Sequence, residues 1–113
     1  MRLRVSQAEK YDYTDVVALT MVGEGVEARL ELPVRVMEEA GWYPPPVGAE
    51  VEVELAQEPG GLDEWEIALS GVLLKRGEGL VAYTFGGLLL TLRGAVGEPP
   101  RKVYLKLRRA REG

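Results

Sequence analysis

Tyr83 and Phe85 stand two residues apart in an apolar run, so on a strand both rings project from one face, as aromatics do where they stack on single-stranded nucleic acid. That chemistry also needs cations among the rings to hold phosphates, and the nearest are Lys75, Arg76 and Arg93. Aromatics on strands usually pack, so barrel core or a protein interface is the expected role. Glu50, Glu52 and Glu54 form a second row on one strand face. Carboxylates so placed lie ~6–7 Å apart, and nothing opposite completes a metal or acid–base site, so a solvated face is expected. Cysteine and histidine are absent, which removes disulfides, thiolate nucleophiles, ordinary zinc sites and imidazole catalysis. Serine occurs only at Ser6 and Ser70, outside any Gly-x-Ser-x-Gly setting, and no Gly-x-x-x-x-Gly-Lys-Ser/Thr loop cradles a phosphate. No catalytic residue, cofactor or metal is expected. The chain reads as a non-enzyme.

Charge says more about partners. At 113 residues the chain has the size of one domain, able to bury about two-thirds of the surface its unfolded form exposes. Its net charge of −4 is unevenly spread. Residues 1–100 hold eight Lys/Arg and seventeen Asp/Glu, a balance of −9. Residues 101–113 hold Arg101, Lys102, Lys106, Arg108, Arg109 and Arg111 against Glu112, a balance of +5. An acidic body does not suit phosphate binding, so tight direct nucleic-acid binding is not expected. The basic end is open to weak contact with nucleic acid or an acidic partner, or is a solvated last strand with a frayed tail. The expected division is a barrel domain over residues 1–107 and a basic C-terminal tail over 108–113. No run reaches the ~18 apolar residues that cross a bilayer, and no apolar signal core follows Met1, so a cytoplasmic protein without a membrane partner is expected. Asparagine is absent, glutamine occurs only at Gln7 and Gln57, and arginine outnumbers lysine ten to four. That balance suits a thermophilic protein, although a G+C-rich genome would also favour arginine.

The elements that must position these residues are strands. Val51, Val53 and Leu55 alternate with the three glutamates, and the same period of two runs through residues 26–32 and 102–108. Residues 15–22 read as a more buried strand. Residues 64–76 read as a long one with a probable bulge at Gly71. Gly77-Glu78-Gly79 and Gly86-Gly87 supply turns between the strands that follow. Only residues 34–40 suit a helix, short, preceded by Pro33 and ended by Gly41. Trp42-Tyr43-Pro44-Pro45-Pro46 is a stiff connector, either an exposed patch or a plug over one barrel end. The fold class expected is all-β, a single antiparallel barrel of about seven or eight strands with at most one short helix. Closure is preferred to a sandwich because it removes edges.

One segment carries a resemblance. Gly71-Val72-Leu73-Leu74-Lys75, then Leu80-Val81-Ala82-Tyr83-Thr84-Phe85-Gly86-Gly87-Leu88-Leu89-Leu90-Thr91-Leu92-Arg93-Gly94, then Val103-Tyr104-Leu105 resembles the subunit 8 family of DNA-directed RNA polymerase, small subunits found in eukaryotes and in some archaea. Ala82, Tyr83, Phe85, Gly86, Gly87, Leu88, Leu89, Leu92 and Gly94 match that family's Ala-Tyr-x-x-Tyr/Phe-Gly-Gly-Leu-Leu-x-x-Leu-x-Gly run in order and spacing. Glu27 to Leu32 and Val47 to Leu55 resemble earlier strands more weakly. The short connection at residues 58–63 stands where eukaryotic members carry a long loop, which points to the archaeal type. The resemblance implies a barrel related to the OB-fold, without catalysis, docked on the largest subunit of an archaeal-type DNA-directed RNA polymerase. The partner-binding candidates are Tyr83, Phe85, Gly86, Gly87, Leu88, Leu89 and Arg93, because the missing side chains of the glycine pair would let a partner's backbone approach closely beside them. Within the run, Leu88, Leu90 and Leu92 share the face expected to be core, whereas Leu89 shares the other with Thr91 and Arg93 and is the better contact. The alternative from another class is a free-standing OB-like module that binds single-stranded nucleic acid.

Overall fold

The computed structural model describes residues 1–94 and 97–110. Eight antiparallel strands close into a barrel: β1 (Arg2–Lys10), β2 (Val16–Gly23), β3 (Val26–Pro33), β4 (Glu50–Ala56), β5 (Ile67–Gly77), β6 (Leu80–Phe85), β7 (Leu88–Gly94) and β8 (Lys102–Arg109). Their order round the barrel is β1-β2-β3-β7-β6-β5-β8-β4, with β4 returning to β1. Two meanders, β1-β2-β3 and β5-β6-β7, thus join through β3–β7 at one seam and through β8 and β4 at the other. Three of the four meander turns hold two residues each: Gly23 pairs Val26, Gly77 pairs Leu80 and Phe85 pairs Leu88, whereas the β1–β2 connection beyond the Lys10–Val17 pair is longer. Each of these three short turns carries a glycine at positive φ, where a left-handed backbone is needed.

Alternation then fills the barrel. Leu3 and Val5 of β1, Leu30 and Leu32 of β3, Val51 and Val53 of β4, Leu90 and Leu92 of β7, and Val103, Leu105 and Leu107 of β8 are all buried in one core. The helix α1 (Val34–Glu39) follows Pro33, which stands at its N-cap, and Gly41 leaves it at φ +74°. The Trp42 N–H donates to the Met37 carbonyl at 2.7 Å and its indole Nε1–H donates to Glu66 at 3.3 Å. Arg109 reaches the Gly41 carbonyl from the end of β8. The segment therefore crosses from the end of β3 to the β5–β8 seam, over one barrel end. Trp42 and Met37 are fully buried there. Trp42 is a plug, and Tyr43, after it, is exposed.

Gly71 is not a bulge. The β5–β8 ladder runs through it without a register shift, and the irregularity in β5 lies between Leu73 and Lys75 on the β6 side. A Cβ at Gly71 would meet the Phe85 ring and the Thr84 carbonyl at 2.5 Å. The glycine is there because a ring from the neighbouring strand crosses over it.

Candidate contact surface

The hairpin of β6 and β7 carries all seven candidates, on different faces. Tyr83 and Phe85 point inward and are buried, with ring centroids 6.5 Å apart and tilted. The Tyr83 hydroxyl donates to the Pro100 carbonyl at 2.9 Å, and burial pushes the phenol above its ordinary pKa. Rings inside a barrel offer no face to a base or to a partner, so the core role expected of strand aromatics holds for both and the partner-binding role does not. Leu88 also packs against the core, partly buried. Alternation decides all three: positions 83, 85 and 88 fall on the inner pleat because β6 and β7 are joined by two residues only.

Gly86 and Gly87 form the exposed turn, at φ +63° and +96°. No atom lies within 4 Å of a Cβ built at either, so backbone conformation and not crowding selects glycine here. Replacing Gly87 with valine is expected to lower stability by about 1–3 kcal/mol through left-handed strain. Urea denaturation checks this, and wild-type stability would show that the turn relaxes without cost.

Leu89 and Arg93 face outward. Leu89 is 38% exposed, and its backbone N–H donates to Glu31 Oε1 at 3.0 Å where the β3–β7 ladder ends. The cross-strand register sets Leu89 beside Thr84, Thr84 beside Val72, and Val72 beside Lys102. Val72 and Leu74 are exposed apolar residues on the same side of β5, at 46% and 59%. The bulge expected at Gly71 would turn Val72 and Leu74 inward, whereas the β5–β8 ladder runs through Gly71 without a shift and leaves them outward. Beside Val72 lies an open groove of about 490 Å³. Its floor is low because Ser70, Gly71, Gly86 and Gly87 carry little side chain, and Tyr104 and Lys102 border it. The outer face of β5, β6 and β7 is thus partly apolar around Val72, Leu74 and Leu89, with Lys102 and Arg93 as charges at its margins.

The basic end behaves differently from its composition. β8 runs two residues past the boundary expected at 107, so Arg108 and Arg109 are strand residues. The Lys106 side chain is 6% exposed; its Nζ donates to the Pro59 carbonyl at 3.0 Å and pairs with Glu54 at 3.7 Å. Arg108 donates to Glu52 at 2.7 Å, and its guanidinium lies 4.3 Å from the Trp65 ring centroid. That hydrogen bond holds the Glu52 carboxyl below the usual range. Arg2 pairs with Glu50 at 2.9 Å. The acidic row of β4 stays on the solvent-facing side, as expected, and cations from β1 and β8 pair with it there. Arg101 and Lys102 remain exposed, and Arg111 lies outside the described residues. Among the described residues no cluster of three or more carboxylates is arranged to hold a metal ion, and no helix is long and apolar enough to cross a membrane.

Comparison with models of known protein families and with curated proteins finds no match to this chain.

Proposed function

We propose that the chain is a non-catalytic accessory subunit of an archaeal-type, multisubunit DNA-directed RNA polymerase, and that it docks on the largest subunit to assist assembly and stability. The observation that carries this reading is the run from Ala82 to Gly94, whose glycine pair, leucines and closing glycine match the pattern of the subunit 8 family. The closed antiparallel barrel agrees with what that resemblance implies. In this reading the outer face of β5, β6 and β7 is the contact surface, with Val72, Leu74 and Leu89 as apolar contacts. Gly86 and Gly87 keep the turn low, and Lys102 and Arg93 supply charge at the margins. Binding comes from shape and apolar burial, with no chemical step.

The single-strand-binding alternative loses support, because the two rings that would stack are core and Lys106, Arg108 and Arg109 of β8 already have partners within the barrel. The test is titration of the purified protein with the largest polymerase subunit of its source, beside labelled single strands at near-physiological salt. Saturable binding to the subunit is expected. Leu89→Asp should weaken it about tenfold, as loss of an interface anchor does, without changing the fold. Submicromolar binding to the single strands with none to the subunit would overturn the proposal.

A further inference from the structure

Joined to Leu89 through the Glu31 carboxylate, the corner between β1 and β2 holds an aromatic stack with one open end. Tyr11 is fixed: its hydroxyl donates to Glu31 Oε2 at 2.6 Å and accepts from Arg29 Nη2 at 2.8 Å. The Arg29 guanidinium carbon lies 5.8 Å from the Tyr11 ring centroid. Tyr13 lies against Tyr11 with centroids 5.6 Å apart and planes within 7°, an offset stack. Lys10 ties the corner from beneath, donating to the Tyr11 and Thr14 carbonyls at 3.2 and 3.4 Å and pairing with Asp15 at 3.6 Å. Yet Tyr13 itself is 84% exposed. Nothing in the barrel requires a large ring there.

We propose that Tyr13 is a binding shelf for an arginine side chain presented by a protein partner. Three observations select that occupant. The stack already meets a guanidinium at Tyr11, where Arg29 also bonds the hydroxyl, and Arg108 lies over the Trp65 ring at 4.3 Å. Asp12 and Asp15, which flank Tyr13 in the sequence, are acidic and exposed, and Asp15 also pairs with Lys10. The body of the chain, residues 1–100, has a balance of −9. A planar, weakly hydrated cation gains from both the ring and the carboxylates, and a lysine ammonium stacks less well. A nucleobase would also stack, but it brings phosphate to an acidic corner. The shelf is held in place before binding, since Glu31, Arg29 and Lys10 fix Tyr11 and the loop, so little ordering entropy is lost.

Arginine binding at Tyr13 does not depend on the polymerase reading, and its test needs no polymerase subunit. The full chain, with its tyrosines labelled with ¹³C, is titrated with an oligo-arginine peptide, an oligo-lysine peptide of equal length and oligothymidylate; Tyr13→Phe assigns the Tyr13 ring signal by its loss. The arginine peptide is expected to bind saturably, to shift the Tyr13 ring signal and to bind more tightly than the lysine peptide. Tyr13→Ala should weaken that binding about two- to five-fold, and Tyr13→Phe should leave it unchanged. Absence of saturable arginine binding, equal binding of both peptides unaffected by Tyr13→Ala, or a Tyr13 shift with oligothymidylate alone would overturn it.

Discussion

Replacing Trp42 with alanine is expected to destabilise the barrel by about 3–5 kcal/mol, the loss typical of a buried tryptophan truncated to alanine. Trp42 is fully buried in the same cluster as Met37 and Leu32, and it is the largest side chain in the core. Truncation leaves a void that neighbours cannot readily fill, because the ring is fixed at both ends. Its backbone N–H is bonded to Met37, and its indole N–H meets Glu66. The change also frees Glu66, whose carboxylate accepts the Arg109 N–H, and so loosens the end of β8. Urea denaturation measures the loss directly. A loss below about 1 kcal/mol would mean that the plug contributes no packing to the barrel end. Tyr43→Ala, beside it but exposed, should change stability by no more than about 0.5 kcal/mol.

Ending the chain at Leu107 should cost about 2–5 kcal/mol, although the residues removed have the composition of a frayed basic tail. Arg108 and Arg109 pair with Glu52 and Val51 of β4, and the Ala110 N–H donates to the Glu50 carbonyl at 2.9 Å. Arg108 also donates to the Glu64 carbonyl at 3.3 Å and covers Trp65. Each backbone hydrogen bond contributes about 0.5–1.5 kcal/mol net, the Glu52 carboxylate would lose Arg108, and Glu66 would keep only the Trp42 indole N–H. β4 is the strand that closes the barrel back onto β1, through only three register pairs, Arg2–Glu52, Leu3–Val51 and Arg4–Glu50. Weakening its other edge therefore threatens closure itself. Thermal unfolding followed by circular dichroism checks this, with the truncated chain melting well below the full one. Equal melting temperatures would show that the strand ends functionally at Leu107. The same truncation is expected to change oligonucleotide affinity little, since Arg108 and Arg109 already have partners within the barrel.

How far the sequence carried the fold depends on whether a feature is local. The alternation at residues 26–32, 49–56 and 102–108 is written in neighbouring residues, and each became a strand with the expected inner face. Turn chemistry is equally local: Gly79 and the Gly86-Gly87 pair stand at positive φ in two-residue turns, and Gly41 ends the one short helix. The exclusion of thiol, imidazole and phosphate-loop chemistry needed only the residue inventory. Leu89 on the outer pleat also followed from counting by twos.

Tertiary structure decided everything that depends on strands distant in sequence. Gly71 reads as a bulge in its own strand, but its reason is the Phe85 ring on the strand beside it. Tyr83 and Phe85 were open between stacking platform and core until closure placed their face inside. The cations of β8 looked free in composition, whereas pairing with β4 sets Arg108 opposite Glu52 and Lys106 opposite Glu54. Trp42 turned from connector to plug because the chain after α1 crosses the barrel end to Glu66. The physical reason is the same in each case. Period and turn type are energies of adjacent residues, while burial, ion pairing and the fate of an exposed ring are set by which distant strand the closed barrel brings alongside.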